Sequence, residues 1–418
     1  MNFLDKVKNE IRPDISVLVE IEIFAKEINK EIKKNKVNAV CVTGGSIAKG
    51  TFLKGDFDVD LFVRFDYSYK DKDISMLLGK ILISFNPTTL HGSRDYYQIK
   101  HDNLNYEIVP VLDIKDPEKA PNVTDMSFMH VDWVKKNIKK GQEDEIRLTK
   151  KFCKVIGVYG AESYIHGFSG HIIDIMVIHY GSFLGLLKAS QKWKPKVIID
   201  TEKYYKNSND TLFNINKSKT SGPLVVVDPI LKTRNAASAV SLEKFNLFKK
   251  KAKEFIKNPS EISFAEKKID IDYLKSKHKK NLIILELTTE KGKQDVIGSR
   301  ILKAFEFIKA ELEKKGFMIK KNGWYWDKKL DALVWFVLQD ITLPKTKVIE
   351  GPPIEMKDAC KEFKKKYKKT FEKKARLCTE FEIKKRNIKE NLNEITKKIY
   401  LSDKLKSSRL VYMYTQSK

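Results

Sequence analysis

Residues 44–65 read Gly44-Gly45-Ser46-Ile47-Ala48-Lys49-Gly50-Thr51-Phe52-Leu53-Lys54-Gly55-Asp56-Phe57-Asp58-Val59-Asp60-Leu61-Phe62-Val63-Arg64-Phe65. Phe57, Val59, Leu61, Val63 and Phe65 alternate, the period of a strand with one face in a core. Asp58 and Asp60 then share the opposite face. Two neighbouring acids repel each other and lose solvation, an arrangement that a bound cation relieves. Carboxylate oxygens are hard ligands that suit Mg²⁺ rather than zinc, and Mg²⁺ completes its shell with water and substrate phosphates. The small turn at Gly44, Gly45 and Ser46 offers backbone N–H groups and a hydroxyl to such phosphates.

In this order and spacing, the turn and the acid pair resemble the nucleotidyltransferase superfamily that includes DNA polymerase β. The resemblance implies a third carboxylate on a neighbouring strand. The segment Asn105-Tyr106-Glu107-Ile108-Val109-Pro110-Val111-Leu112 supplies it at Glu107, with Tyr106, Ile108, Val111 and Leu112 turned to the core. Asp113 is a rival, past Pro110 and beyond the expected strand. Three carboxylates can hold two metal ions about 3.5–4 Å apart, so catalysis with two Mg²⁺ is expected.

The 418 residues carry 81 Lys and Arg against 55 Asp and Glu, a formal charge of +26. That excess points to a polyanionic partner, and nucleic acid fits better than a membrane. No run of about 18 apolar residues could span a bilayer. The nearest, from Ile172 to Leu187, is interrupted by Asp174 and His179 and reads as one buried helix. The first residues, Met1 to Lys6, lack a signal-peptide pattern. Cys41, Cys153, Cys360 and Cys378 show no Cys-x-x-Cys spacing and read as reduced thiols, so a cytoplasmic location is expected.

Helical spacing predicts a helix from about Pro13 to residue 35 and another over Ile74–Leu82. Asn38–Val42 reads as a buried strand, and Tyr96–Lys100 with Asn105–Leu112 as a hairpin. From Glu143 to Leu187 the pattern is helical, with Ser169 as an N-cap. Leu224–Val227 is an apolar run, Ser241–Ile256 a helix, and Asn258-Pro259-Ser260 a boundary. Strands are expected at Asn281–Leu287 and Asp331–Leu338, around a helix at Asp295–Lys315. Pro352-Pro353 breaks the chain. Beyond it, Phe363, Tyr367 and Phe371 recur every four residues among lysines, which predicts a basic helix.

The fold expected is α+β and multidomain: a polymerase β-like nucleotidyltransferase head (1–140), a helical central domain (141–257), and a basic α+β and helical C-terminal region (258–418). Tyr96 and Tyr97 could stack on a primer end or belong to the core, and Trp193 could touch RNA or pack.

Further segments extend the resemblance: Ser46-x-x-Lys49-Gly50-Thr51, Ser127-x-x-His130-x-x-Trp133, Arg147-Leu148-x-Lys150, Gly157-Val158-Tyr159-Gly160-Ala161-Glu162, Gly167-Phe168-Ser169-Gly170, Tyr180-Gly181-Ser182-Phe183, and Val227-Asp228-Pro229 followed by Arg234-Asn235-x-Ala237. Together they resemble the archaeal (class I) CCA-adding enzymes, the tRNA nucleotidyltransferases. The resemblance implies template-independent addition of C, C and A, from CTP and ATP, to the tRNA 3′ end with release of pyrophosphate. It implies metal binding and catalysis at Asp58, Asp60 and Glu107, although that family usually has Asp at the position of Glu107. It implies triphosphate contacts at Ser46, Lys49, Lys150 and Tyr159, beside Gly45 of the turn. His130 matches a position near the triphosphate, with a structural histidine as the alternative, and Ser127 is a weaker match at the nucleotide. Arg234 matches the residue that reads the base edge, with pairing to Asp228 as its alternative, and Asn235 would steady it. His166, His171 and His179 read as structural. The partners implied are the tRNA acceptor arm and 3′ end, no membrane, and a homodimer. A poly(A) polymerase, a 2′-5′ oligoadenylate synthetase-like enzyme and a non-catalytic RNA-binding protein are the alternatives.

Overall fold

The computed structural model describes residues 3–265, 270–329 and 331–413. The chain forms two compact units, residues 1–267 and 268–418.

The first unit opens with helices α1 (Phe3–Ile11) and α2 (Ser16–Lys34). Strand β1 (Ala39–Thr43), the short helix α3 (Gly45–Ala48) and strand β2 (Val59–Phe65) follow. Helix α4 (Ile74–Ile81), capped by the Asp73 side chain on the Met76 N–H, leads to β3 (Thr88–Leu90), β4 (Tyr96–His101) and β5 (Leu104–Leu112). The five strands form one sheet in the order β1-β2-β5-β4-β3. β2 and β5 run parallel, and the other pairs are antiparallel. Leu61, Val63 and Phe65 of β2 and Tyr106, Ile108 and Leu112 of β5 pack with Phe24 and Ile28 of α2 and Leu78 of α4. β1 is an edge strand, not the buried strand expected, and Val40 is exposed. Val40 alternates with the buried Cys41 and so faces water from the other side of the sheet, where a single apolar side chain is ordinary.

The second core of this unit is helical. It comprises α5 (Ser127–Asn137), α6 (Gln142–Val155), α7 (Gly170–Tyr180), α8 (Phe183–Ser190) and, later, α10. The expected single helix over 172–187 is two helices bent by 90°. Gly181, at φ +85°, ends α7, and Ser182 caps α8 on the Gly185 N–H. No single helix among the described residues is long and apolar enough to cross a membrane. A two-stranded pair, β6 (Val197–Ile199) and β7 (Leu224–Val226), brackets α9 (Ser208–Asn214), and α10 (Leu242–Lys257) closes the core. Phe152, Phe183, Phe248 and Phe255 meet at centroid spacings of 5.4–6.4 Å. Leu4, Val7 and Ile11 of α1 pack here and not on the sheet, and Phe264, past the Asn258-Pro259-Ser260 break, does the same. The expected boundary at 257/258 thus falls inside the first unit. Trp193 stacks on Phe245 and Phe248 and is core.

The second unit begins with α11 (Ile271–His278), β8 (Leu282–Thr288), α12 (Gln294–Lys315), β9 (Ile319–Trp326) and β10 (Asp331–Leu338). Then come β11 (Thr346–Pro353), α13 (Lys357–Lys366), β12 (Phe371–Lys373), β13 (Arg376–Glu382), α14 (Ile388–Thr396), α15 (Ile399–Ser402) and β14 (Ser407–Met413). One sheet has the order β14-β8-β10-β9, the other β11-β13-β12. Ala304, Phe305, Ile308 and Leu312 of α12 pack with Leu285, Phe336 and Leu392. The basic helix expected through Phe371 stops at Lys366. Tyr367 is extended and Phe371 lies on β12, because Lys374 and Ala375 at positive φ turn the chain back into a hairpin. Spacing by four there reflected two elements in succession, not one helical face.

Candidate active site

Three acids meet at the edge of the β2–β5 junction. Asp60 stands opposite Glu107 in the parallel register, and Asp58 precedes β2. Burial, then the charges of Glu107 and Asp58, push the Asp60 carboxyl up to about 7, with Lys49 pulling the other way. Tyr96 looks onto the same acids. Burial, then Glu107, Asp60 and Asp58, push its phenol up to about 12. Tyr97 is core, its hydroxyl donating to the Ser75 carbonyl at 2.8 Å. Asp113 pairs with Arg64 at 2.6 Å beyond the end of β5, which removes it as the third ligand.

The glycine turn is pressed against these acids. The Gly44 N–H donates to the Asp60 carbonyl at 2.8 Å. Gly45 has φ +56°, and a Cβ there would lie 1.8 Å from Asp60 Oδ2. Only glycine satisfies both conditions. Gly45→Ala must therefore push the Asp60 carboxylate aside. We expect nucleotide incorporation to fall by about a hundredfold or more while tRNA affinity is kept, measured by single-turnover extension and filter binding.

The ammonium groups beside the turn already have a counter-ion. Lys49 Nζ donates to Asp174 Oδ2 at 2.9 Å, and Lys150 Nζ lies 3.1 Å from Asp174 Oδ1. Lys150 also donates to Thr51 Oγ1 at 2.9 Å and the Thr51 carbonyl at 3.3 Å. Burial alone would raise the Asp174 carboxyl; Lys150 and Lys49 hold it below the usual range instead. Burial lowers the Lys150 ammonium, against the pull of Asp174. Two cations on one anion leave one positive charge over, next to the turn. The Tyr159 hydroxyl comes close here too: a Cβ on Gly170 would lie 3.0 Å from it and 3.7 Å from Lys150 Nζ. Burial raises the Tyr159 phenol, so it stays a neutral donor.

A cavity of about 250 Å³ opens between the sheet and the helices, lined in part by Gly45, Lys49, Ser127, His130, His171 and Arg234. Ser46 follows Gly45 on α3. Ser127 and His130 lie one turn apart on α5. His130 Nε2 is 3.0 Å from Asp228 Oδ1, and the Arg234 guanidinium pairs with Asp228 Oδ2. The Asp228 carboxylate also accepts the Ile230 and Leu231 N–H groups at 2.9 and 3.3 Å. Burial would raise this carboxyl, but the bond from His130, the contact with His171 and the charge of Arg234 hold it well below the usual range. Arg234 is thus both paired and at the cavity wall. Asn235 is not at the wall. Its amide accepts from the Val226 and Ala237 N–H groups and donates to the Lys219 and Leu224 carbonyls, which uses its capacity. Its contribution is to hold the loop that carries Arg234. Lys150 is likewise absent from the wall, its three donors directed at Thr51 and Asp174.

Among the described residues, one trio of candidate metal ligands has its atoms within 4.8 Å of one another: His130, His171 and Asp228. The Arg234 guanidinium occupies the carboxylate of that trio, so a second cation there would meet a resident one. The acids at 58, 60 and 107 fit a cation better, because burial and mutual repulsion make the ionised Asp60 costly without one.

Residues 25–126 match the nucleotidyltransferase domain family, 144–265 the second domain of tRNA nucleotidyltransferases, and 279–407 the CCA-adding enzyme C-terminal domain. A CCA-adding enzyme of Nanoarchaeum equitans is 40% identical over 314 residues, covering 74% of this chain and 76% of that relative. The chain belongs to the CCA-adding enzyme family. The relative from Methanocaldococcus jannaschii is 32% identical and is covered over 84% of its length, with 88% of this chain aligned. Among solved structures, the Cid1 poly(U) polymerase superposes with a TM-score of 0.52, over 63% of this chain and 98% of that one, at 15% identity. A cytoplasmic RNA terminal U-transferase gives 0.51, over 64% and 98%, also at 15% identity. At that identity the likeness concerns the fold, a polymerase β-like head with its following helices.

Two residues of this candidate site escaped the sequence reading. Asp174 showed only as an acid inside an apolar run, and His171 read as structural. The first had a signal, since a charge in a buried helix needs a partner. The second had none.

Proposed function

We propose that Asp58, Asp60 and Glu107 hold two Mg²⁺ ions at the head of this CCA-adding enzyme, and that the incoming triphosphate lies along Gly45, Ser46, Lys49, Lys150 and Tyr159. The enzyme is a template-independent tRNA nucleotidyltransferase that completes the 3′ end with C, C and A. In each addition the terminal hydroxyl of the tRNA attacks the α-phosphorus of CTP or ATP, and pyrophosphate leaves. When bound, divalent ions lower the pKa of the attacking hydroxyl and neutralise the leaving pyrophosphate. The chain's own contribution is placement and charge. Gly45 brings the backbone close to the phosphates, and the positive charge left over at Lys49, Lys150 and Asp174 attracts them. His130 and Ser127 line the cavity where a nucleotide would sit, and Arg234, fixed on Asp228, offers planar donors to the base edge. The basic second unit suits the acceptor arm, and a cytoplasmic location belongs to the same reading. The observation that carries the reading is Asp60 opposite Glu107 in register, with Gly45 closed against the Asp60 carboxylate.

The test is primer extension of a tRNA lacking its last three nucleotides. CTP alone should add two cytidines, and CTP with ATP should add all three. EDTA should stop the reaction and Mg²⁺ restore it. Incorporation of adenylate alone, from ATP, would reject CCA addition.

A further inference from the structure

In the motif Arg147-Leu148-x-Lys150 the lysine reaches Asp174, whereas the arginine turns to the backbone of residues 50–52. Arg147 is 9% exposed, and its guanidinium is divided among three partners. Nη2 donates to the Gly50 carbonyl at 2.6 Å, Nε donates to the Phe52 carbonyl at 3.2 Å, and Nη1 pairs with Asp144. Burial works against the Arg147 charge and Asp144 works for it. Asp144 also pairs with Arg12, just past the end of α1.

These bonds belong to a wider pattern. Arg147, Lys150 and Lys154 stand at i, i+3 and i+7 of α6 and share one face. All three hold the loop that runs from the glycine turn to Asp58. Arg147 takes residues 50 and 52, Lys150 donates to Thr51 Oγ1 at 2.9 Å, and Lys154 Nζ lies 2.7 Å from Asp56 Oδ2. The loop is tied to the turn as well. The Thr51 N–H donates to the Ser46 carbonyl and the Gly50 N–H to the Ile47 carbonyl, both at 2.9 Å. A shift at residues 50–52 therefore carries Ser46 and Lys49 with it. At the other end of the turn, Gly45 is stopped by Asp60. The spacing between Lys49 and the acids is thus set from α6.

The residue type matters. A planar guanidinium reaches two carbonyls and a carboxylate at once, in fixed directions. A lysine ammonium is a point charge on a flexible stem and cannot span carbonyls two residues apart while keeping Asp144. Misplacement by about 1 Å of a group that grips a substrate costs about a hundredfold.

We propose that Arg147 is a positioning residue: it fixes the loop between the glycine turn and Asp58, and so places Lys49 at the distance from the acids that a triphosphate requires. The proposal rests on the reading of Lys49 as a triphosphate contact.

The test titrates single-turnover extension of trimmed tRNA with CTP for the wild type, Arg147→Lys, Lys49→Gln and the double variant, each well below its melting temperature. Filter binding follows tRNA affinity. Arg147→Lys should raise KM for CTP about tenfold to a hundredfold and leave tRNA affinity within about twofold of wild type. Lys49→Gln should cost a similar factor in the wild type but less than about threefold in the Arg147→Lys background, because an ammonium already out of place has little left to lose. Losses that multiply overturn the proposal, since an arginine that merely stabilised the fold would not change what Lys49 contributes. Lys154→Met loosens the same loop at its exposed end and decides the matter if Arg147→Lys does not fold. Its KM increase of about threefold should vanish when Lys49 is already Gln, and no increase, or one that persists, overturns the proposal. A KM for CTP unchanged by Lys49→Gln alone would instead overturn the triphosphate reading beneath it.

Discussion

Asp60→Asn should abolish nucleotide incorporation, by about a thousandfold or more, and at the same time raise the melting temperature of the metal-free protein above pH 7. Both effects follow from one carboxylate. On the proposed reading the amide loses the charge that a divalent cation needs, so incorporation fails while the tRNA-binding surfaces are untouched. The stability effect comes from linkage. The Asp60 carboxyl sits at about 7 in the fold, pushed up by burial and then by Glu107 and Asp58, against the ordinary aspartate value of 3.8. A raised acid destabilises the native state once ionised. The penalty is absent below pH 4, grows as pH rises towards 7, and is complete above it. It amounts to about 2–4 kcal/mol, at 1.36 kcal/mol per pH unit with allowance for solvent reaching the acids. Melts of wild type and Asp60→Asn should therefore coincide near pH 4 and separate by several degrees at pH 8. Adding Mg²⁺ should raise the wild-type curve and leave the variant unmoved. Equal melting temperatures at pH 8, or retained incorporation, would remove Asp60 from the centre of the site.

Asp174→Ala is the second large effect, and it has the opposite sign for stability. Asp174 is 1% exposed and faces two ammonium groups, Lys49 at 2.9 Å and Lys150 at 3.1 Å. Removing it leaves two uncompensated cations in a poorly solvated place, a loss of about 3–5 kcal/mol. In a unit of this size that corresponds to a fall in melting temperature of roughly 10 °C. The lysines also lose the anchor that aims them, so the Km for CTP should rise. Lys150→Met combined with Asp174→Ala should recover part of the stability without recovering activity, because one stranded charge has gone. A double variant no more stable than Asp174→Ala would mean that Lys150 is solvated in the single variant. Asp174 also joins the two cores of the first unit: it stands on α7, Lys150 on α6, and Lys49 and Thr51 follow the glycine turn.

Much of this site was legible before any coordinates. Alternation from Phe57 to Phe65 placed a strand, and β2 spans Val59–Phe65 with Asp60 beside the other acids. The hairpin, the Ser169 cap and helices α6, α10 and α12 followed from the same local periodicities. The failures were of two kinds. Spacing by four at Phe363, Tyr367 and Phe371 looked helical, yet the helix ends at Lys366 and Phe371 lies on a strand paired with β13. The apolar run from Ile172 to Leu187 looked like one helix, yet Gly181 and Ser182 bend it by 90°. In the second case residues able to turn the chain outweighed the periodicity around them, and in the first the pairing of β12 with β13 did.

What the sequence alone determined is the set of reactive side chains and the strands and helices that carry them, because backbone periodicity and capping act over a few residues. The partners of those side chains were decided by tertiary structure. Lys49 meets Asp174 across 125 positions, and His130 meets Asp228 across 98. Charge neutralisation and hydrogen-bond satisfaction depend on distance through space, and only the folded chain sets that distance.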